Sequence, residues 1–243
     1  MTPSDATAHA RLLAVWERGQ GEGVGARALT LLTALDAGPA DEPALLPIGR
    51  RDALLLDLRE RLFGGRYQGV TSCPSCGEEI ELTFEAREVR RPAAALGSAV
   101  VQIDGIDVEF RLPNGGDLAA IENTGDIGVA RAHLLARCVV KATRGGEVIA
   151  ADELPPGIGE VIAVRMSALD PQADVTLDLD CPQCAHAWRE PFDIVTFLWN
   201  ELAVWARRLL GEVHALASAY GWNESEVLAL TPARRKIYLE MVS

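Results

Sequence analysis

Two Cys-Pro-x-Cys motifs constrain this chain more than any other feature. They are Cys73-Pro-Ser-Cys76 and Cys181-Pro-Gln-Cys184. A C-x2-C turn lets two thiolates reach one metal ion, and two such turns supply the four ligands that tetrahedral zinc prefers. About 100 residues lie between the motifs, and closing such a loop costs roughly 4 kcal/mol. Structural zinc sites bind the ion with an apparent free energy of about 10 to 16 kcal/mol, which exceeds the cost of closing the loop. We therefore predict that Cys73, Cys76, Cys181 and Cys184 bind one structural zinc ion.

Other interpretations of the two motifs stay open at this point. Each could be a redox dithiol, although neither opens a helix in a thioredoxin-like βαβ unit, where a helix N-terminus would lower a thiol pKa. Sets of four cysteines also hold iron–sulfur clusters. The motifs could instead bind separate metals or none. His186, two residues after the second motif, is the natural substitute ligand if one cysteine is not used.

The remaining candidate catalytic side chains give no pattern of an active site. Cys138 lies in an apolar helical stretch, where a free cysteine acts as a small hydrophobe, so we predict that it is buried. His9, His133 and His214 stand alone on predicted helices. The chain contains no H-E-x-x-H, G-x-S-x-G or P-loop motif. We therefore predict a non-enzymatic protein with no small-molecule substrate.

The charge of the chain disfavours nucleic acid as a partner. Its 243 residues carry a formal net charge of -12, whereas nucleic-acid binding requires Lys and Arg to neutralise phosphates.

The start of the chain lacks the pattern of a signal peptide, and no window approaches the length of apolar run that spans a membrane. We expect a cytoplasmic protein without membrane insertion. In a reducing compartment, paired cysteines favour a metal site over disulfides.

Hydrophobic periodicity predicts a mainly helical chain. The first predicted helix ends at Arg18, and two short ones near the end of the chain start at Asn223 and Thr231. The others span Val24–Leu35, Arg51–Phe63, Asp117–Glu122, Ile127–Ala142, Pro156–Leu169 and Asp193–Tyr220. The glycines between 19 and 25 predict a flexible loop. In the third helix, Leu54, Leu55, Leu58 and Leu62 share an apolar face, which leaves Asp57, Arg59, Glu60 and Arg61 on the other faces.

Short alternating runs predict strands before and after each cysteine motif, and Asp104-Gly105 predicts a hairpin turn. The expected fold class is therefore α+β: mainly helical, with a split zinc-ribbon-like β module and a C-terminal helical region. We predict four segments: an N-terminal helical segment (1–66), the split ribbon (67–90 and 173–191), an inserted α/β segment (91–172) and C-terminal helices (192–243).

The predicted helix over 193–220 carries two apolar stripes, more than one core requires. We therefore predict Trp199, Trp205 and Trp222 as partner-contact residues. An alternative function is a zinc-ribbon regulator that binds nucleic acid through its C-terminal helices. Its basic side chains would be Arg234, Arg235 and Lys236, although neighbouring glutamates offset their charge.

Several stretches together resemble the T4-type baseplate proteins of contractile phage tails and phage-like contractile injection systems. They are Leu46–Leu56, Cys73–Gly77, Cys181–Cys184 with Phe192–Ile194 and Phe197–Trp199, Glu212–Ala217, Tyr220–Trp222 and Arg234–Leu239. The resemblance implies a structural or assembly protein of the baseplate hub region, with other tail proteins as partners. It also implies incorporation into the assembled particle as one of two roles; assembly chaperone is the other.

Overall fold

A computed structural model describes residues 6–36, 43–92, 94–150, 154–155 and 157–242. The described residues fall into two compact units, each built from separate stretches of the chain. Unit 1 comprises the described parts of Met1–Ala40, Leu55–Arg66 and Asp193–Ser243; unit 2 comprises those of Asp41–Leu54 and Tyr67–Phe192. The predicted fold class is confirmed, since the chain is mainly helical with small sheets. The four-segment division stays a prediction.

Helices occupy both units. In the described residues they are α1 (Ala6–Arg18), α2 (Val24–Ala34), α3 (Ile48–Phe63), α4 (Ala86–Val89), α5 (Gly115–Ile121), α6 (Ile127–Cys138), α7 (Ile158–Leu169), α8 (Ile194–Tyr220), α9 (Glu224–Leu228) and α10 (Pro232–Val242). None of these helices is both long enough and apolar enough to cross a membrane.

The strands of the described residues all belong to unit 2, apart from the first residue of β1. They are β1 (Arg66–Ser72), β2 (Glu79–Glu85), β3 (Ser98–Ile103), β4 (Ile106–Arg111), β5 (Val139–Arg144), β6 (Glu147–Ile149), β7 (Thr176–Asp180) and β8 (Ala187–Pro191). They form the two-stranded sheets β1-β2 and β7-β8 and a four-stranded sheet in the order β3-β4-β5-β6.

Helix α8 is the centre of unit 1. The Asp193 side chain accepts the N–H of Val195 and caps its start, and Gly221 ends it with a φ of 68°. Helices α1, α2, α9 and α10 all contact α8. The two apolar stripes predicted for this helix are therefore largely covered by helices of the same unit. The buried residues of one core cluster here are Leu13, Ala206, Leu209, Val213, Leu216, Val227 and Leu228.

The four-stranded sheet buries one face against α7. Its first hairpin turns at Asp104-Gly105, as predicted, with Ile103 paired to Ile106. Alternate residues of β4 are completely or almost completely buried, as expected for a sheet with one face on the core and the other exposed to solvent. The buried residues of this core are Ile106, Val108, Phe110, Ala142, Ile158 and Ile162.

Two local predictions were wrong. The helix predicted over Ile127–Ala142 ends at Cys138, because the following residues pair with β4 as strand β5. Val139, Val140 and Thr143 are β-branched, and such side chains fit a pleated sheet better than a helix. The predicted glycine loop begins with a 3₁₀ turn over Gly19–Gly21. Gly19 is buried there, and a Cβ at this position would overlap the Trp199 ring.

Candidate metal centre

Each cysteine motif forms the tight turn between two antiparallel strands. In the first turn, the Cys73 N–H donates to the Glu78 carbonyl and the Gly77 N–H donates to the Cys73 carbonyl, both at 2.9 Å. In the second turn, Cys181 and Ala185 make the equivalent bonds, also at 2.9 Å. The two turns therefore share one backbone pattern, although one is closed by glycine and the other by alanine.

The last position of each turn needs a left-handed backbone. Gly77 has a φ of 76° and Ala185 a φ of 56°. Glycine adopts this conformation without steric cost, whereas an L residue with a Cβ pays roughly 1–2 kcal/mol. The second turn therefore carries backbone strain that the first one avoids.

The structure brings the four predicted cysteines together. The Sγ atoms of Cys73 and Cys184 lie 3.8 Å apart, and those of Cys76 and Cys181 lie 3.6 Å apart. All four sulfurs lie within 4.8 Å of one another. A tetrahedron with Zn–S bonds of about 2.3 Å has sulfur–sulfur edges of about 3.8 Å. The four donors thus have the chemistry and the spacing for one tetrahedral metal ion.

The same distances bear on the other interpretations. Disulfide sulfurs lie about 2.05 Å apart, so the four thiols are free. In an iron–sulfur cluster with several irons, the cysteine sulfurs bind different irons and spread wider than sulfurs that share one ion. A single ion of zinc or iron fits the observed spacing best. His186 is exposed and stacks on Trp188 with ring centroids 6.1 Å apart, and it is not part of the sulfur cluster.

One thiol of each turn faces inward. Cys73 and Cys181 are 2% and 3% exposed, whereas Cys76 and Cys184 are exposed. Four thiolates around a tetrahedral ion leave no position for water or substrate, and sites of this kind are structural. An ion bound by all four thiols would therefore join the two turns.

Hydrogen bonds and burial shift the pKa values of Cys73 and Cys76 in opposite directions. Burial acts to raise the pKa of Cys73, but the backbone N–H groups of Cys76 and Ser75 and neighbouring thiols donate to it and lower its pKa to about 7. For Cys76 the N–H of Glu78 acts to lower the pKa, but burial and the neighbouring thiols raise it to about 12. Of these two thiols, Cys73 is therefore the one that loses its proton first as pH rises. A bound cation would favour release of the remaining protons.

An aromatic cluster lies at the base of the two hairpins. Tyr67 of β1 stacks on Phe84 of β2 at 5.1 Å between ring centroids, and both rings meet the edge or face of Phe192, at 6.0 and 5.6 Å. Nearer the turns, the Thr71 hydroxyl donates to Glu190 at 3.4 Å. The hairpins are therefore joined by a few aromatic contacts at one end and by the sulfur cluster at the other.

Comparison with protein families supplies the context of this site. The family model described as T4 bacteriophage base plate protein matches residues 28–199, which include both cysteine motifs and every strand of the described residues. The chain belongs to this family. Comparison with curated proteins and with solved structures gives no match. The resemblance predicted from the sequence is therefore confirmed at the level of the family.

The three tryptophans predicted to contact partners all lie in unit 1 of this baseplate protein. Trp199 is only 5% exposed, and the Arg27 guanidinium lies 4.7 Å from its ring centroid. Trp205 is half-buried and stacks on the buried His9 at 6.0 Å. Trp222 is half-buried and stacks on Tyr220 at 4.7 Å. Trp199 is thus a core residue, and partner contact through the other two stays a prediction.

A buried ion pair in unit 1 was not predicted from the sequence. Arg59, predicted on a face of α3 other than the leucine face, is 2% exposed. Its Nε and Nη2 donate to Glu201 of α8 at 2.8 and 2.6 Å, and its other bonds go to the carbonyls of Gly64 and Arg66. Periodicity places residues on the faces of a helix but does not show that a charged side chain has a buried partner. A bidentate arginine–carboxylate pair satisfies the buried charge.

A second correction concerns the C-terminal basic residues. Arg235 is 3% exposed, and it donates to Glu212 of α8 and to the Leu230 carbonyl. Lys236 lies 3.9 Å from Glu240. Of the three cations predicted for a nucleic-acid surface, Arg235 is therefore buried and paired. The C-terminal helices of this baseplate protein offer little free positive charge, which argues against that alternative.

A buried carboxylate, Asp117, organises the loop that follows β4. Asp117 is 1% exposed and accepts from Arg111 of β4 and from Arg137 of α6, the latter at 2.9 Å. Burial acts to raise the pKa of Asp117, but these two cations and the N–H of Asn114 lower it overall. The Asn114-x-x-Asp117 spacing of a capping box was the available sequence signal. Cys138, next to Arg137, is completely buried as predicted.

Proposed function

We propose that this chain is a non-enzymatic structural or assembly protein of a contractile tail or phage-like injection-system baseplate. The family match over residues 28–199 carries the proposal, because it covers both cysteine motifs and the sheet between them. The closed four-thiol arrangement supports it, since such a site stabilises a fold and has no open position for substrate. The protein would act by presenting a stable surface to other tail proteins.

We further propose that the four cysteines hold one structural zinc ion. The sulfur–sulfur distances of 3.6 and 3.8 Å support a single tetrahedral ion. Zinc would supply a rigid link between residues 67–86 and 175–190, and it would do no chemistry there. A mononuclear iron ion would fit the same sulfurs. Elemental analysis distinguishes the two metals.

The proposed partners are other baseplate and tail proteins. A net charge of -12 disfavours nucleic acid as a partner, and pairing of Arg235 with Glu212 removes one cation from the C-terminal helices. The alternative, a zinc-ribbon regulator, predicts salt-dependent DNA or RNA binding. A binding assay at low salt tests it, and measurable affinity there would favour the regulator.

Copurification tests the proposed function. An affinity-tagged chain expressed with the remaining genes of its tail cluster should copurify with baseplate proteins. The chain should be found in the cytoplasm before assembly. Its presence in finished particles would make it a built-in component, and its presence in intermediates alone would make it an assembly factor. A stable monomer that never associates with tail proteins would contradict both roles.

A further inference from the structure

A small cavity in unit 1 has a lining unlike the rest of this acidic chain. It lies between α1 and α3, beside the end of α2, and has a volume of about 90 Å³. The lining residues are Ala8, Arg11, Leu12, Leu35, Leu58, Arg61 and Leu62. Four of them are leucines, and the two charged ones are both arginines. Neither the metal centre nor the family match assigns a role to this cavity.

The two helices contribute to the cavity in the same way. Arg11 and Leu12 of α1 follow Ala8 by three and four residues, and Arg61 and Leu62 of α3 follow Leu58 by three and four. This spacing places the residues of each set on one helix face. Leu12 and Leu58 are 4% and 2% exposed, whereas both arginines are exposed. The cavity therefore has an apolar floor and a positively charged rim.

The rim has positive charge to offer a ligand. The Arg61 side chain makes no ion pair or hydrogen bond within the described part of the chain. Arg11 pairs with Asp36 and donates to the Ala34 carbonyl, but its side chain is 48% exposed and that of Asp36 is 78% exposed. Exposed pairs of this kind contribute little to stability. An incoming carboxylate can therefore replace Asp36 at small cost.

We propose that this cavity binds a short acidic segment of a partner protein. One large apolar side chain of that segment, such as leucine, would fill the floor, and an adjacent carboxylate would lie between Arg11 and Arg61. Drug-sized ligands occupy about 300–1,000 Å³, so a space of about 90 Å³ suits a single side chain. The inference depends on the cavity and its rim alone and does not need the baseplate function.

Peptide titration tests this site. The probe is the peptide acetyl-Glu-Asp-Leu-Glu-Asp-amide, added up to millimolar concentration to the ¹⁵N-labelled full chain. We expect saturable amide shifts at Leu12, Leu58 and Leu62. A peptide with alanine in place of the leucine, or with lysines in place of the acidic residues, should bind at least about tenfold more weakly.

Three variants separate binding from folding. Arg61→Glu should weaken binding of the peptide at least about tenfold by reversing the charge of the rim. Ala8→Leu should weaken it to the same extent by filling the apolar floor of the cavity. Arg18→Glu, on the same helix as Ala8 but outside the lining, should bind as the unaltered chain does. Circular dichroism confirms that each variant is folded.

The absence of saturable shifts at the lining residues would overturn the proposal. Equal weakening of peptide binding by Arg61→Glu and Arg18→Glu would also overturn it. Octanoate serves as a second probe, because it has an apolar chain and a carboxylate but no peptide backbone. Binding of octanoate without binding of the peptide would make the cavity a small-molecule site and would contradict the protein partner.

Discussion

The helical unit and the two cysteine hairpins both join distant parts of the chain, but different forces hold them. Helix α8 alone buries ten residues against neighbouring helices of unit 1. Strands β1 and β2 bury one residue each, Tyr67 and Phe84, and neither β7 nor β8 contains a fully buried residue. Isolated two-stranded sheets are marginally stable at best in water. We therefore expect apolar burial to suffice for the helical unit and the hairpins to depend on a metal ion bound by the four thiols.

The largest expected effect comes from removing a ligand of the proposed metal. Cys73→Ser should lose the metal and lower the midpoint of thermal unfolding by about 10 °C or more, since each kcal/mol shifts a chain of this size by about 2–4 °C. The helices of unit 1 should survive longer than the hairpins. Limited proteolysis, read by mass spectrometry, should therefore cut first within 67–86 and 175–190, while helical circular dichroism is largely kept.

Cys138→Ser is the matched control, because this cysteine is completely buried but lies outside the cluster. The variant should retain its metal, even though burying a hydroxyl there costs about 1–3 kcal/mol. Metal content therefore separates the two variants more cleanly than stability. Equal metal content in both would break the comparison, because the hairpins would then not depend on the four thiols.

The second effect tests the helical unit. Arg59→Ala leaves Glu201 without its buried cation and should lower the free energy of unfolding by about 3–5 kcal/mol. Arg61→Ala, two residues later on the exposed face, should change it by less than about 0.5 kcal/mol. Chemical denaturation of both variants measures the difference. Similar losses of unfolding free energy in the two variants would show that the Arg59–Glu201 pair does not stabilise the contact between α3 and α8.

A third effect concerns the inserted segment of unit 2. Asp117→Asn should lower the free energy of unfolding by about 2–3 kcal/mol at neutral pH, because Arg111 and Arg137 lose a charged acceptor. The folded-state pKa of Asp117 lies below its ordinary value of 3.8, so its contribution is complete above that value and is lost as pH falls through the lower folded pKa. The difference between the two proteins should shrink in acid. A constant difference would contradict the charge-based explanation.

The smallest effects compare the two cysteine turns with each other. Ala185→Gly should relieve the left-handed strain and raise the free energy of unfolding by about 1 kcal/mol. Gly77→Ala should lower it by a similar amount, although a Cβ there meets no atom within 4 Å. Both should retain the metal. Changes of the same sign in the two variants would show that backbone strain does not distinguish the turns.

Sequence patterns predicted the clustering of the four cysteines and the long helices because those features are local or chemically restrictive. Four cysteines in two matched turns leave few structural roles, and α8 was predicted to within one residue at its start and at the correct end. The hairpin at Asp104-Gly105 was predictable for the same reason, since few dipeptides fit so tight a turn.

Long-range pairing was not predictable in the same way. Val139 begins a strand because β4 lies beside it, and periodicity alone does not distinguish a short apolar run in a strand from one in a helix. Arg59 and Arg235 are buried because Glu201 and Glu212, far away in sequence, lie opposite them. The cavity beside α1 also escaped prediction, since its lining comes from three separate helical segments.

Metal content per chain tests the central claim most directly. The full chain, expressed without added metal and freed of loosely bound ions, should contain one zinc ion per molecule by elemental analysis and show no visible absorption. Cys73→Ser, Cys76→Ser, Cys181→Ser and Cys184→Ser should each contain markedly less. One iron ion per chain, with the visible absorption of an iron–thiolate centre, would show that the four-cysteine site holds iron instead of zinc. A chain without metal, as stable as the Cys73→Ser variant, would contradict the account.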